Sequence, residues 1–249
     1  MTLSSQEIER YHASGFHFPV RALSPAEAAS HRERLDRFIA ENGGRDKAGP
    51  LLRHKAHLNC ASLRELISHP KILDAVADVL GPDLLCWASG VFYKPAQDPS
   101  FVSWHQDAMY WGLDPADVTT AWVALTDSNA ENGAMQVLPA SHRDALMPHT
   151  ETYGANNMLS RGQEIAVDVD PSRTVMLTLT AGEMSLHHVK LAHGSDPNRS
   201  TQARIGYAIR YVAPHVRPVT SESRVALLVR GQDRFGHFEM ERLPETAPA

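Results

Sequence analysis

The N-terminal third of the chain carries the capping and spacing signals of helices. Residues 4–7 and 24–27 both fit the Ser-x-x-Glu capping box, and Pro25 occupies the favoured first position of the second helix. We predict that the first helix ends near Gly15 and that the second ends at the Asn-Gly-Gly sequence of residues 42–44. These signals predict two helices before residue 45.

Two further helix signals follow. Residues 62–65 form a third Ser-x-x-Glu box, which predicts another helix beginning at Ser62. From Pro70 onwards, apolar residues recur at helical spacing on one face until the Gly-Pro pair at 81–82. Residues 1–82 are therefore expected to form a helical shoulder.

After Gly81 the pattern changes to short β-type runs separated by Gly, Pro, Asn and Asp. We predict eight strands, at residues 84–93, 101–111, 119–126, 134–138, 174–180, 183–189, 203–212 and 225–230. Strands that follow one another without intervening helices favour an antiparallel sheet. The predicted fold is mainly β with α: a double-stranded β-helix, that is, a jelly-roll (cupin-like) barrel, with the N-terminal helices packed on one face.

The domain organisation follows from this order of elements. We predict that residues 1–249 form a single domain, with the jelly-roll core at 83–232, because all-β barrels commonly reach this length as one unit. The connection at 142–165 is long and polar, and such loops often serve as functional covers. We therefore predict that it is a lid over the substrate.

Composition and charge exclude several classes of function. Hydrophobic residues make up 43% and charged residues 21% of the chain, which is typical of a globule with a buried core. The net charge of −5 and the absence of a dense Lys/Arg cluster argue against a nucleic-acid partner. No leader pattern and no membrane-length apolar run is present, so we expect a cytoplasmic protein without a membrane partner. The sequence indicates no particular oligomeric state.

The triplet His-x-Asp occurs twice, at 105–107 and 142–144. In a chain with 14 histidines such a match is expected by chance, so the surrounding pattern must decide between the two. The residues around the first are typical of a strand, where positions i and i+2 point to the same face, so His105 and Asp107 would converge. His142 follows a turn-like Pro-Ala-Ser segment, which favours an exposed histidine.

His193 is the best candidate for completing a metal site with His105 and Asp107. Two histidines and one carboxylate on one face of an iron ion leave three coordination positions free for O2 and a co-substrate. His193 lies where a β-type run meets a Gly-Ser-Asp-Pro-Asn turn. The alternative is a histidine that only caps this turn.

Arg204 follows on a strand with strict alternation. The residues on its face are Arg204, Gly206, Ala208 and Arg210. We expect this face to line the barrel, with Gly206 and Ala208 leaving room for a ligand, and the apolar opposite face to pack against the helices. A dicarboxylate that chelates iron at one end needs its far carboxylate held, and a guanidinium does this through two parallel hydrogen bonds. The alternative for Arg204 is a surface arginine at a strand end.

Several motifs together resemble the phytanoyl-CoA dioxygenase family of Fe(II)/2-oxoglutarate oxygenases over most of the chain. The matching stretches are Tyr-Lys-Pro at 93–95, Trp-His-Gln-Asp at 104–107, Ala-Trp-Val-Ala-Leu at 121–125, Asn-Gly at 132–133, Val-Leu-Pro-Ala-Ser-His at 137–142 and His-Gly-Ser-Asp-Pro-Asn at 193–198, followed by Arg204. One departure is Ala140, where the family usually has glycine.

The resemblance implies a set of site residues and a reaction. His105, Asp107 and His193 would bind Fe(II). Arg204 would hold the C5 carboxylate of the co-substrate 2-oxoglutarate, with Ser195 as a neighbouring hydroxyl donor. Reaction with O2 would convert 2-oxoglutarate to succinate and CO2 and hydroxylate a small or medium-sized metabolite. Related carrier-dependent halogenases have Ala or Gly in place of the carboxylate ligand, so Asp107 disfavours halogenation.

Six further residues are candidates for contact with the small-molecule substrate: Gln136, Trp111, His188, Arg210, Asn157 and Arg161. Most of them have a plainer alternative. Gln136 would otherwise be a structural amide, His188 a hydrogen-bonded core histidine, and Arg210 a member of a structural ion pair. The two lid residues would otherwise lie on a solvated loop face.

Two other functions stay open at this point. A cupin-like metal isomerase or lyase would use the same ligands without O2, although it would have no need of Arg204. A non-catalytic sensor would bind 2-oxoglutarate without converting a substrate.

Overall fold

A computed structural model describes residues 2–244. Its α-helices are α1 Ser5–Ser14, α2 Pro25–Glu41, α3 Arg45–Arg53, α4 Ala56–Asn59, α5 Ala61–Ile67, α6 Pro70–Leu80 and α7 Ala108–Trp111, and Pro171–Arg173 and Ser221–Ser223 form 3-10 turns. None of the helices in this part of the chain has the length and apolar character needed to cross a bilayer. All but α7 precede the long strands, as expected of the helical N-terminal third.

The strands follow the predicted β-type runs, with several additions, and all but the first come after α6. They are β1 Phe16–Arg21, β2 Leu84–Lys94, β3 Val102–His105, β4 Leu113–Asp114, β5 Val118–Ala124, β6 Met135–Val137, β7 His149–Glu151, β8 Gln163–Ile165, β9 Val175–Met176, β10 Glu183–His188, β11 His193–Ser195, β12 Arg204–Val212, β13 Arg217–Pro218, β14 Val225–Arg230 and β15 Glu239–Met240.

Two sheets form a jelly roll. The larger has the strand order β1-β10-β5-β12-β2-β14-β15, and the smaller has the order β3-β11-β6-β9. Apart from the parallel pair β14–β15, the strand pairs of both sheets are antiparallel. Side chains from both sheets line one cavity, which is the arrangement of a double-stranded β-helix.

The helices cover the outer face of the larger sheet. Ile205, Tyr207, Ile209 and Tyr211 of β12 are buried in one apolar cluster with helix residues such as Leu35 and Leu63. Burying apolar side chains at this helix–sheet contact stabilises the fold by roughly 25 cal/mol per Å² removed from water. The predicted packing of the apolar β12 face against the helices is confirmed.

The capping boxes at 4–7 and 24–27 begin α1 and α2, and Gly15, in the left-handed conformation, ends α1. The box predicted at 62–65 is wrong. The N-cap of α5 is Cys60, two residues before Ser62, and it makes no side-chain cap; the Ser62 hydroxyl lies inside the helix, buried and bonded to His31.

Three strand predictions need correction. The predicted strand at 101–111 ends at His105, and α7 occupies its second half. Strand β1, which the pattern did not predict, contains Pro19 and lies at a sheet edge, where a missing N–H is tolerated. The residues beginning at His193 form the short strand β11 instead of a turn.

The predicted lid, residues 142–165, contains a small antiparallel ribbon of β7 and β8. It is attached to the start of β3, where Met158 N–H donates to the Phe101 carbonyl and Ser103 Oγ donates to the Gln163 carbonyl. The segment therefore lies beside the cavity-lining strand β3.

Candidate active site

A cavity of about 130 Å³ lies between the two sheets. The smaller sheet contributes residues of β3, β6 and β11, and the larger sheet contributes residues of β2, β5, β10 and β12. The segment from Asp107 to Trp111 closes one side, and Leu159 and Gln163 of the 142–165 segment reach it as well.

His105 and His193 are direct neighbours across two antiparallel strands. They pair in the β3–β11 register, and their ring centroids are 4.2 Å apart. Both side chains are buried. The short strand β11 is held on its other edge by β6, where His193 pairs with Val137. The smaller sheet therefore fixes the separation of the two imidazoles.

Asp107 reaches the same point by a different route from the predicted one. The chain turns after His105, and Asp107 has helical backbone angles immediately before α7. Gln106 points away, donating to the Lys190 carbonyl and accepting from Met147 N–H. The Asp107 Oδ1 atom lies 3.3 Å from His105 Nε2. One ligand atom from each of His105, Asp107 and His193 lies within 4.8 Å of the others, close enough to hold one metal ion.

The hydrogen bonds of the two imidazoles fit a bound cation. His105 Nδ1 lies 2.9 Å from the Ser103 carbonyl oxygen, and His193 Nδ1 lies 2.9 Å from the Leu191 carbonyl oxygen. A carbonyl only accepts, so each Nδ1 carries a proton and Nε2 is the ring nitrogen left to bind a metal ion in the cavity. Two acceptors, Nε2 of His105 and the Asp107 carboxylate, then face each other, an arrangement that a cation between them stabilises.

Burial and neighbouring charges keep these groups in the protonation states that metal binding requires. Burial, reinforced by His105, lowers the pKa of His193 to about 4. Burial raises the pKa of Asp107, but His105 and His193 outweigh it and bring this pKa down to about 2. At neutral pH His193 is therefore uncharged and Asp107 is a carboxylate.

Arg204 is buried on the cavity side of β12, and its guanidinium carbon lies 5.3 Å from the centre of the Trp122 ring. Burial lowers its pKa to about 10, so it stays charged at neutral pH. The sequence had suggested that Gly206 leaves room for a ligand, and this prediction is wrong. A Cβ atom there would overlap the Trp122 indole, so the glycine makes room for the tryptophan on which Arg204 stacks.

Ser195 also lines the cavity, and it is hydrogen-bonded to Lys94, which does not line the cavity. Lys94 Nζ donates to Ser195 Oγ at 2.7 Å and to the Asp196 carbonyl oxygen. Burial, with a smaller contribution from Arg204, lowers the pKa of Lys94 to about 7. The N–H of Lys94 occupies one lone pair of Ser195 Oγ, which leaves the hydroxyl proton free to point elsewhere.

Of the six predicted substrate residues, the structure brings Trp111 and Arg210 into the cavity lining. The other four are engaged elsewhere. Gln136 donates to Asp196 Oδ2, Asn157 donates to Ser103 Oγ, and Arg161 pairs with Glu151.

The fourth, His188, packs against His142 outside the cavity, with ring centroids 5.2 Å apart. It shares the helix-facing side of β10 with Leu186, so the neighbouring residue, His187, faces inward. The His187 ring centroid lies 4.9 Å from that of His193, and burial holds the pKa of His187 well below its usual value. The alternation of side chains along β10 could have identified His187 as a cavity residue. Met184 and Leu186 are apolar and face the helices, so the odd-numbered residues between and after them point to the opposite side, toward the cavity.

Leu159, Gln163 and Lys94 were also missed. The two lid residues lie in a polar segment without periodicity, so no sequence signal distinguishes them from their neighbours. Lys94 stands in the Tyr-Lys-Pro motif, one residue beyond the predicted run at 84–93, and the observed strand β2 extends to include it together with the cavity-lining Phe92.

Comparison with known proteins agrees with this geometry. The family model described as Phytanoyl-CoA dioxygenase (PhyH) matches residues 11–206. A probable alpha-ketoglutarate-dependent hypophosphite dioxygenase from Stutzerimonas stutzeri is 32% identical over 219 residues, which cover 85% of this chain and 74% of that protein.

Two solved structures resemble the whole fold. The non-heme monooxygenase ThoJ in its apo form has a TM-score of 0.84 and 40% identity, covering 96% of this chain and 88% of that one. CytC3 with Fe(II) and alpha-ketoglutarate has a TM-score of 0.68 and 25% identity, covering 97% of this chain and 93% of that one. Both similarities span nearly the whole of this chain.

Proposed function

The chain belongs to the phytanoyl-CoA dioxygenase (PhyH) family, and on that premise we propose that it is an Fe(II)/2-oxoglutarate-dependent oxygenase that hydroxylates a small or medium-sized metabolite in the cytoplasm. The observation that carries the proposal is the convergence of His105, Asp107 and His193 on one point, with both Nδ1 atoms engaged by carbonyls. The alpha-ketoglutarate named in the descriptions of two similar proteins supports it.

His105, Asp107 and His193 would hold Fe(II) on one face and leave three positions free, which suits a chelating co-substrate and O2. Bound Fe(II) would supply the chemistry of O2 activation, which is coupled to the oxidative decarboxylation of 2-oxoglutarate to succinate and CO2. The protein's part is to fix the three ligand atoms, to keep the site dry and to orient the substrate. Asp107 favours hydroxylation because it occupies the position that a halide ligand would need.

Arg204 and Ser195 would bind the far carboxylate of 2-oxoglutarate. The guanidinium of Arg204 has a buried Nε without a hydrogen-bond partner among the described residues, so a carboxylate at this position would satisfy it. Because Lys94 donates to Ser195 Oγ, the Ser195 hydroxyl is left to donate to the same carboxylate. Together the two residues set which end of the co-substrate reaches the iron.

The substrate would enter beside Trp111 and Arg210, under the 142–165 segment. Leu159 and Gln163 are the side chains through which this segment reaches the cavity. As a lid, it would shield the reacting carbon from water during turnover.

A succinate-formation screen tests the proposed function. Purified protein is supplied with Fe(II), ascorbate, O2, 2-oxoglutarate and a metabolite library, and succinate is quantified. We expect slow uncoupled succinate formation that a substrate accelerates, with none in His105→Ala and normal formation in the matched control His142→Ala, which alters the other His-x-Asp triplet.

Two outcomes would contradict the proposal. Substrate conversion without O2 or 2-oxoglutarate would indicate an isomerase or lyase, and 2-oxoglutarate binding without any succinate would indicate a sensor.

A further inference from the structure

Arg210 is the second arginine in the cavity and has no role in the proposed binding of 2-oxoglutarate. It points to the same face of β12 as Arg204, six residues away, so their Cα atoms are about 20 Å apart at the rise of an extended strand. Trp111 and Phe92 flank its guanidinium, whose carbon lies 5.4 Å and 6.0 Å from the two ring centres.

The guanidinium of Arg210 is unpaired. Its Nε is buried and has no hydrogen-bond partner among residues 2–244, and Arg210 takes part in none of the ion pairs found there. Its pKa is lowered by burial and raised by Asp107, with burial the larger influence. The Arg210 side chain is half-buried, and a buried Nε–H without an acceptor is unfavourable, so a ligand that accepts a hydrogen bond from this guanidinium would be stabilised in the cavity.

A count of formal charges indicates what that partner is. Among the charged side chains that line the cavity, Arg204 and Arg210 are positive and Asp107 is negative, and a histidine must be neutral to bind a metal ion, which leaves one positive charge. Fe(II) and the 2-oxoglutarate dianion cancel each other. A loaded cavity therefore has one uncompensated positive charge, which a single negative charge on the substrate would neutralise.

The aromatic side chains define the shape of this second site. The guanidinium carbon of Arg210 lies over the rings of both Trp111 and Phe92, an arrangement that favours cation–π contacts. Because the guanidinium takes part in no ion pair among the described residues, its N–H groups are available to a planar acceptor. A carboxylate offers two oxygens at the matching spacing.

We propose that Arg210 binds a carboxylate of the primary substrate, so that the substrate class is carboxylic acids. This inference rests on the proposed function, because Arg204 is assigned to 2-oxoglutarate. The carboxylate would anchor the substrate between Trp111 and Phe92 and leave the rest of the molecule to extend toward His105 and His193.

The test measures binding without turnover. Protein loaded with Zn(II), which is redox-inert, and saturating 2-oxoglutarate is titrated with benzoate, with its neutral isostere benzamide and with the doubly charged phenyl phosphate. Tryptophan fluorescence is the readout, because Trp111 lies beside Arg210. We expect benzoate to bind about ten- to hundredfold more tightly than benzamide, the usual range for a hydrogen bond to a charged group.

Variants of Arg210 test whether the preference for benzoate depends on this side chain. Arg210→Gln should abolish the preference for benzoate, and Arg210→Lys, which keeps the charge but not the fork, should retain part of it. Arg37→Gln is the matched control, because Arg37 is exposed on α2 and does not line the cavity, and it should behave as wild type. Retained 2-oxoglutarate binding in Arg210→Gln would show that the site is still folded.

Equal or undetectable binding of benzoate and benzamide would overturn the proposal, as would a preference for benzoate that survives in Arg210→Gln. Tighter binding of phenyl phosphate than of benzoate would overturn the assignment to a carboxylate. The proposed function is checked separately, since failure of Fe(II) and 2-oxoglutarate to form a charge-transfer complex would contradict it whatever benzoate does. If that complex forms and benzoate shows no preference, only the substrate class is wrong.

Discussion

The two faces of strand β12 differ in what surrounds them. On one face Ile205, Tyr207, Ile209 and Tyr211 are buried among helix side chains. On the other, Arg204 and Arg210 face the cavity with buried Nε atoms that have no partner among the described residues. One backbone with a period of two thus carries apolar packing on one side and unpaired positive charge on the other.

The two faces have opposite effects on stability: one stabilises the fold and the other destabilises it. The apolar face contributes to the free energy of unfolding through burial. The charged face opposes folding, since a buried guanidinium without a partner loses its hydration. The partners of the two arginines are expected to be groups on bound ligands. Substitutions on the apolar face should therefore change the free energy of unfolding, and substitutions on the charged face should change ligand affinity.

The largest effect on stability is expected from Ile209→Ala on the apolar face. Ile209 is fully buried, and removing its side chain should lower the free energy of unfolding by about 2–5 kcal/mol. Urea unfolding measures this change. The Michaelis constant for 2-oxoglutarate should be unchanged at temperatures where the variant is folded. A large rise in that constant would contradict the claim that the apolar face affects stability alone.

Arg204→Met on the charged face should show the opposite behaviour. The loss of a charged hydrogen-bonding partner should weaken 2-oxoglutarate binding by about 2–3 kcal/mol, on the order of a hundredfold. The ligand-free protein should be as stable as wild type or more stable, because a buried unpaired charge is replaced by an apolar side chain. Calorimetric titration and urea unfolding check the two parts, and a marked loss of stability would contradict the comparison.

Gly206→Ala should affect both measurements because it adds a methyl group where the Trp122 indole lies. Overpacking of this kind typically lowers the free energy of unfolding by about 1–3 kcal/mol. A displaced Trp122 would also shift Arg204, so 2-oxoglutarate affinity should fall. Gly49→Ala is the control, because a Cβ atom at this position of α3 would meet nothing within 4 Å; it should leave 2-oxoglutarate affinity unchanged and should not lower the free energy of unfolding.

The smallest effect is expected from Lys94→Met behind Ser195. Loss of one hydrogen bond to Ser195 Oγ should weaken 2-oxoglutarate binding by about 1 kcal/mol, or roughly fivefold. Lys71→Met, at an exposed position of α6, provides the control. Unchanged 2-oxoglutarate affinity in Lys94→Met would mean that Ser195 needs no positioning by Lys94.

The sequence predicted the two faces of β12 because the eight residues from Arg204 to Tyr211 alternate strictly, and it predicted α1 and α2 because their caps are local signals. Each of these features depends on neighbours a few positions away in the chain. The inward direction of Arg204 and Arg210 followed from the same alternation.

Features that depend on distant contacts were not predictable in this way. Strand β11 is three residues long and exists because β3 and β6 pair with both of its edges. The helical turn at Asp107 is associated with bonds from Gln106 to the distant residues Lys190 and Met147. Gly206 was assigned to a ligand because Trp122, which fills its place, comes from another strand.

The central claim is that His105, Asp107 and His193 form one Fe(II)/2-oxoglutarate site. Anaerobic titration of the protein with Fe(II) and 2-oxoglutarate, followed by visible absorption, tests it most directly. We predict a weak metal-to-ligand charge-transfer band in wild type and in His142→Ala, and none in His105→Ala. An equal band in wild type and His105→Ala, or no band in wild type, would contradict the assignment of the site.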